Sequence, residues 1–102
     1  MRIKVRLYGV FLELSNARRE IDLLLPEKAT LKDLIDTLRE KFGDEISKRL
    51  LDENNKLRRR GYVILINGDA VREEDPEKVL LQENAEIAIL PTAVGGRKQL
   101  CA

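Results

Sequence analysis

Residues 85–96 read AEIAILPTAVGG, and this stretch decides how the rest of the chain is interpreted. Its first half, residues 85–90, predicts a β-strand that stops at Pro91, because proline has no N–H to donate to a strand ladder. The residues after Pro91 are small and show no apolar period, which is typical of an exposed, flexible tail. We therefore expect a last strand that leads within a few residues to Gly95 and Gly96.

The first part of the chain predicts a pair of strands. Apolar and mostly basic residues alternate over residues 2–8, so this strand has one buried face and one basic, solvent-facing side. Residues 19–25 alternate again and stop at Pro26, while residues 11–17 are ambiguous. Together these segments predict a hairpin.

A second hairpin is predicted further along the chain. Residues 62–66 form an apolar run rich in β-branched side chains. Asn67-Gly68 follows directly and is a strong signal for a two-residue hairpin turn. The return strand is short, around residues 69–72.

One main helix is predicted between the two hairpins. Thr30 is placed to cap its start, Asp33 stands at the capping-box position and Gly43 ends it. A second helical stretch covers residues 44–51, and residues 76–79 suit a single helical turn. The apolar positions of the main helix follow the spacing of an amphipathic helix: Leu31, Leu34, Ile35 and Leu38.

This order of elements predicts an α+β domain of the β-grasp (ubiquitin-like) type. A mixed sheet of about five strands packs on the one main helix, with the first and last strands side by side and parallel at the centre. We expect the domain to cover residues 1–91, a tail to cover residues 92–96, and residues 97–102 to form a separate extension.

Composition excludes several classes of function. The 102 residues hold 19 Lys+Arg and 18 Asp+Glu, a formal charge of +1, which disfavours general nucleic-acid binding. With no His and one Cys, the chain lacks a Cys/His metal cluster and the commonest general base, so we expect no catalytic residue and no metal site. The start does not resemble a secretory signal, and no apolar run is as long as a membrane span, so we expect a cytoplasmic protein without membrane contact.

The β-grasp order followed by Leu90-Pro91-Thr92-Ala93-Val94-Gly95-Gly96 resembles the ubiquitin-like sulfur carriers and protein modifiers. These include the molybdopterin-synthase small subunit, the thiamine sulfur carrier, the ubiquitin-related modifier and the small archaeal modifiers. The resemblance covers residues 3–96 and is supported by the segment at residues 64–68. A glycine pair alone is a weak signal, but its position just beyond the last strand makes it fairly specific.

The resemblance implies a role for the tail. In this family an adenylating enzyme activates the carboxylate of the second glycine with ATP, so the activation and conjugation site is Gly96 with Gly95 before it. Both glycines lack a Cβ that would block a narrow channel, and Thr92, Ala93 and Val94 extend the slender reach. The chain itself then binds no cofactor, because the activating enzyme uses the ATP.

The six residues after Gly96 depart from the family pattern, since most sulfur carriers end at the second glycine. As written, the carboxylate is on Ala102, so activation requires a protease, expected to be a metalloprotease, that cuts between Gly96 and Arg97. Alternatively, the chain never enters the pathway, or the extension is a cloning artefact. Cys101 would leave with the extension, and we assign it no role.

The leading interpretation is a ubiquitin-like modifier precursor that is cleaved after Gly96, adenylated and joined to lysines of target proteins. The alternative is a sulfur carrier whose Gly96 becomes a thiocarboxylate for a sulfur-acceptor enzyme in molybdopterin, thiamine or tRNA thiolation. A third possibility is a nonconjugating β-grasp interaction module in which the glycine pair is an accidental terminus.

We also expect a docking patch on the outward face of the sheet. If Val63 and Leu65 point into the core, four apolar side chains point outward on neighbouring strands near the tail. Arg6 and Tyr8 would form its polar rim, unless Phe11 folds over the patch instead. The four apolar residues of this predicted patch are Ile64, Ile66, Ala88 and Leu90.

A basic run lies in the polar loop at residues 52–60. Lys56 and the three arginines at residues 58–60 are partly balanced by Asp52 and Glu53. A charge run of this kind is more often a solvated surface than a binding site for phosphate or an acidic partner.

Overall fold

The computed structural model describes residues 1–58 and 60–92. A short 3₁₀ turn at Pro76–Lys78 precedes the last strand. The other elements, in chain order, are β1 (Arg2–Leu7), α1 (Val10–Leu14), β2 (Glu20–Leu24), α2 (Leu31–Phe42), α3 (Asp44–Leu50), β3 (Tyr62–Ile66), β4 (Asp69–Ala70) and β5 (Glu86–Pro91).

The five strands form one mixed sheet in the order β2-β1-β5-β3-β4. Strand β1 is antiparallel to β2 and parallel to β5, and Val5 lies beside Ile87 in the parallel pair. Strand β3 is antiparallel to both β5 and β4. The predicted β-grasp fold, with the first and last strands paired in parallel, is confirmed.

Helix α2 begins and ends where the sequence predicted. The Asp33 backbone N–H donates to the Thr30 hydroxyl at 3.3 Å, and the Thr30 backbone N–H donates to the Asp33 carboxylate at 2.8 Å. This reciprocal pair satisfies two N–H groups that the first helical turn leaves without a partner. The predicted capping box is therefore formed, and Gly43 separates α2 from α3.

The core lies between the sheet and the helices. Its sheet side is made mainly by β1 and β5, with side chains of β2 and β3, and its helix side mainly by α2 and α3, with Phe11 of α1. Both sets of side chains follow the periods of their elements, two in the strands and near 3.6 in α2. The fully buried positions include Ile3, Val5, Leu7, Ile87 and Ile89 from the sheet and Leu31, Leu34, Ile35, Leu38, Ile46 and Leu50 from the helices.

Helix α1 resolves the segment that the sequence left ambiguous. Phe11 is 1% exposed and belongs to the core. Its ring meets that of Tyr62 edge to face, with centroids 6.0 Å apart. Phe11 therefore packs on the helix side of the sheet and does not cover the outward face.

The predicted phase of β3 is wrong. Ile64 pairs with Ile89 and Ile66 pairs with Ile87, and paired residues of an antiparallel ladder share a face. Because both partners lie in the core, Ile64 and Ile66 face the helices, and Ile64 is only 3% exposed. The run is apolar at every position, so its sequence carries no period from which to read the inward side.

Smaller differences concern the end of the second hairpin. Strand β4 covers only Asp69–Ala70, shorter than predicted, and the turn before it has positive φ at both Asn67 and Gly68.

Within residues 1–58 and 60–92, no helix is both long and apolar enough to cross a membrane.

Candidate functional site

The site is the end of the sheet where β5 finishes and the chain runs on toward Gly95 and Gly96. The backbone N–H of Thr92 donates to the Gly61 carbonyl at 3.0 Å, and that of Tyr8 donates to the Ile89 carbonyl at 3.2 Å. The bond at Ile89 is the last one to the β1 side, and the bond at Thr92 continues the pairing on the β3 side past the end of β5. The path of the chain is therefore fixed as far as Thr92.

Gly9 lets the end of β5 pack closely against the start of α1. Its φ of 60° and ψ of −130° are angles that glycine adopts far more readily than other residues. A Cβ on Gly9 would lie 2.4 Å from Cγ of Pro91, well inside contact distance. Gly9 thus holds Pro91 in place through contact that only a residue without a side chain allows.

Gly9 and Gly61 were not predicted as site residues. Gly9 follows directly after the first strand, and Gly61 directly precedes the third, which marks both as loop residues and nothing more. Their partners, Pro91 and Thr92, are more than thirty residues away in sequence. No local signal would have identified these contacts.

The outward face beside this exit is apolar. Val63 pairs with Leu90, and Leu65 pairs with Ala88, so all four side chains share the face opposite to the helices. Each is half-buried. We call Val63, Leu65, Ala88 and Leu90 the outer apolar face. Of the four apolar residues predicted for the patch, the structure retains Ala88 and Leu90 and replaces Ile64 and Ile66.

Basic side chains border the outer apolar face on the β1 side. Arg6 is exposed and lies beside Ala88 in the parallel ladder, and Tyr8 is half-buried just beyond the strand. On β2, a carboxylate oxygen of Glu20 lies 3.2 Å from Lys4 Nζ, and the other lies 3.9 Å from Arg6 Nε. The predicted rim of Arg6 and Tyr8 is thus next to the apolar residues.

Tyr62 holds the start of β3 against α3. Its hydroxyl donates to the Leu50 carbonyl at 2.7 Å. Burial raises the pKa of Tyr62 from 10.0 to about 12, so the phenol stays protonated at neutral pH. This phenol serves as a structural donor and is not an acid or base for chemistry.

Of the other predicted site residues, one is described by the structure and the rest are not. Thr92 is exposed at the end of the described chain. Ala93, Val94, Gly95, Gly96 and Arg97 lie outside the described residues, as do the predicted boundaries at residues 96 and 97. The described geometry thus consists of a fixed exit beside an apolar face with a basic rim, an arrangement suited to docking a partner.

Several solved structures share this fold. SAMP1 from Haloferax volcanii superposes with a TM-score of 0.74 at 20% identity, covering 94% of this chain and 100% of SAMP1. Urm1 from Trypanosoma brucei gives 0.71 at 21% identity, covering 93% and 95%. A chain of the BexX/CysO complex from Amycolatopsis orientalis gives 0.72 at 21% identity, covering 92% and 99%.

Sequence comparison gives the family. None of the curated proteins matches this chain in sequence. A family model described as the ThiS family, however, matches residues 5–96, from within β1 through both glycines. This match spans most of the chain and agrees with the observed β-grasp fold. The chain therefore belongs to the ThiS family.

Proposed function

We propose that this chain is a ubiquitin-like modifier precursor that is cut after Gly96, activated and joined to lysines of target proteins. The chain acts as a substrate in the cytoplasm and binds no cofactor. A Gly96 carboxylate oxygen attacks the α-phosphorus of ATP on the activating enzyme, and pyrophosphate leaves. A lysine amine then attacks the carbonyl carbon of the acyl-adenylate, and AMP leaves as the isopeptide bond forms.

One observation carries this proposal. The last strand is hydrogen-bonded to β1 as far as Ile89 and on the β3 side as far as Thr92, and the outer apolar face lies directly beside this exit. A partner that docks on Val63, Leu65, Ala88 and Leu90 therefore meets the chain at Thr92, four residues before Gly96, in a fixed position. The six residues beyond Gly96 favour a precursor that is processed before use.

The second candidate is a sulfur carrier, and the match to the ThiS family supports it. It requires the same cleavage and the same acyl-adenylate. Sulfide then attacks the carbonyl carbon in place of lysine, AMP leaves and a thiocarboxylate remains on Gly96. The two candidates differ only in the nucleophile.

Intact mass spectrometry of the protein from its own cells tests both candidates. Loss of residues 97–102 is expected. A further gain in mass that corresponds to one oxygen replaced by sulfur would favour the carrier, and Gly-Gly remnants on lysines of other proteins would favour the modifier. A chain that always ends at Ala102 would contradict both.

Two variants test the roles of the tail and the face in ATP–pyrophosphate exchange with the activating enzyme. In the chain cut after Gly96, Gly96→Ala should block exchange because its methyl group obstructs the narrow channel, and the uncut wild-type chain, whose carboxylate is on Ala102, should give no exchange. Leu65→Asp should raise the KM for the chain by placing a charge on the outer apolar face. Full activity of Gly96→Ala would show that the channel does not require a residue without a Cβ at this position, and exchange by the uncut chain would show that the Gly96 carboxylate is not the reacting group.

A further inference from the structure

A groove with basic walls lies on the other side of the tail exit from the outer apolar face. Its cationic wall is formed by Lys48, Arg49, Arg58 and Arg60, all of them exposed. Val10, Phe11, Gly61 and Tyr62 line the rest. We call this feature the basic groove.

The positive charge of the basic groove is poorly balanced. Between residues 48 and 60 the sequence has six cationic and two acidic residues, in a chain whose formal charge is only +1. Arg49 lies 3.5 Å from a Glu45 carboxylate oxygen. For the described parts of the chain, no ion pair joins Lys48, Arg58 or Arg60 to a carboxylate.

Asp52, an acidic residue in the sequence between the groove cations Arg49 and Arg58, has another role. The carboxylate of Asp52 accepts the backbone N–H groups of Asn54 and Lys56 at 2.8 and 3.0 Å, closing the turn between them. These bonds, led by the one from Lys56, hold the pKa of Asp52 below its ordinary value. Lys56 itself pairs with Asp75 at 3.2 Å. The turn is therefore stabilised internally, and Lys48, Arg58 and Arg60 remain exposed to a partner.

The groove is also held in shape. The Arg58 side chain donates from Nε to the Lys48 carbonyl at 2.9 Å, and the Arg58 backbone N–H donates to the Leu50 carbonyl at 2.9 Å. Tyr62 donates to that same carbonyl. These bonds tie the basic loop to the C-terminal end of α3 and hold the Arg58 side chain in place before any partner binds.

The basic groove adjoins the path of the tail. Gly61 lines the groove and accepts the hydrogen bond from Thr92, the last residue the structure describes. The cations on the β1 side of the exit face Glu20, whereas within residues 1–58 and 60–92 no ion pair holds Lys48, Arg58 or Arg60 of the groove. The region of unbalanced charge therefore lies beside Thr92, where a protein that takes up the tail contacts the domain.

We propose that the basic groove binds an acidic segment of the protein that takes up the tail, which under the proposed function is the activating enzyme. Carboxylates of that segment pair with Lys48, Arg58 and Arg60, and its apolar atoms contact Val10 and Tyr62. A protein segment fits better than nucleic acid, because the chain has no general positive excess and part of the groove lining is apolar.

A peptide titration tests the groove without requiring activation. Hexaglutamate added to the full-length chain at low salt should shift the amide NMR signals of residues that line the basic groove, and hexaglutamine should not. The double variant Lys48→Gln/Arg60→Gln should bind hexaglutamate about tenfold more weakly, because each exposed ion pair contributes up to about 1 kcal/mol. Arg58 is kept because its side chain helps to hold the groove.

The matched control is Lys28→Gln/Arg72→Gln, which removes the same charge from exposed positions outside the groove. It should bind hexaglutamate as the wild type does. Equal losses in the two double variants, or signal shifts away from the groove, would overturn the proposal. A six-nucleotide oligouridylate or polyphosphate that shifts the groove signals at lower concentration than hexaglutamate would replace the acidic protein with a phosphate ligand.

A second measurement separates this proposal from the proposed function. In pyrophosphate exchange with the chain cut after Gly96, the groove variant should raise KM about tenfold and leave kcat unchanged. An unchanged KM would exclude the activating enzyme as the partner. If the uncut chain, whose carboxylate is on Ala102, instead supports full exchange, the proposed function fails while the peptide result for the groove still stands.

Discussion

Replacing Gly9 with alanine should destabilise the domain strongly, because two separate penalties meet at this residue. A non-glycine residue at such backbone angles costs of order 1–3 kcal/mol. The new Cβ also lies 2.4 Å from Cγ of Pro91, and forcing extra atoms into a packed contact costs about 1–3 kcal/mol. Gly9→Ala should therefore lower the free energy of unfolding by about 4 kcal/mol.

The matched control is Gly43→Ala. Gly43 also has a positive φ, 99°, but a Cβ there meets nothing within 4 Å. It carries the backbone penalty alone, about 2 kcal/mol. Urea denaturation gives both free energies, and thermal denaturation should show a fall in Tm of about 20 °C for Gly9→Ala against about 10 °C for the control.

A double-mutant cycle isolates the contact with Pro91. Removing the proline ring atoms with Pro91→Ala should relieve the steric penalty, so Gly9→Ala in that background should cost about 2 kcal/mol less than in the wild type. Equal costs in the two backgrounds would refute the contact. Equal destabilisation by Gly9→Ala and Gly43→Ala would likewise show that Pro91 does not press on Gly9.

Three further predictions concern the fold. Ile64→Ala should lower the free energy of unfolding, measured in urea, by about 2–5 kcal/mol, because Ile64 faces the core. Leu65→Ala should lower it by much less, and the reverse order would mean that Leu65, not Ile64, faces the core. Tyr62 has a folded-state pKa of about 12, above the unfolded value of 10.0, so its stabilisation is complete below pH 10 and is lost as pH rises toward 12. Tyr62→Phe should accordingly lose about 1 kcal/mol at pH 7 and show a flatter decline above pH 10 in thermal scans, and an unchanged pH profile would contradict this. Thr30→Ala should cost about 1 kcal/mol in urea, while an unaltered midpoint would mean that the capping box adds nothing.

The parts of the fold that are encoded locally could be predicted from sequence. Apolar and polar residues alternate strictly along β1, and α2 has a capping residue at its start and a glycine at its end. The boundaries and the buried side of both elements can therefore be read from their own residues. The parallel pairing of the first and last strands followed from the order of elements: the chain crosses over through α2 to β3, and β5 then returns between β3 and β1.

The parts that depend on distant residues could not be predicted. The inward side of β3 is decided by the register of Ile64 with Ile89, because every residue of the strand is apolar. The contact of Gly9 with Pro91 and the bond from Thr92 to Gly61 join segments far apart in sequence. The basic groove is similar: its wall combines cations from α3 and from the loop, and sequence alone showed a charge run that looked adequately balanced.

The position of β5 also determines how the domain bears mechanical load. A force applied to the tail is directed along β5, which is hydrogen-bonded to β1 on one side and to β3 on the other. The bonds of both ladders then resist together in shear and are not peeled apart one at a time. An unfolding enzyme that pulls on the tail would meet its greatest resistance at the first step, the separation of β5 from both neighbours. This domain should therefore withstand a pulling force that unfolds a protein whose last strand lies at the edge of its sheet.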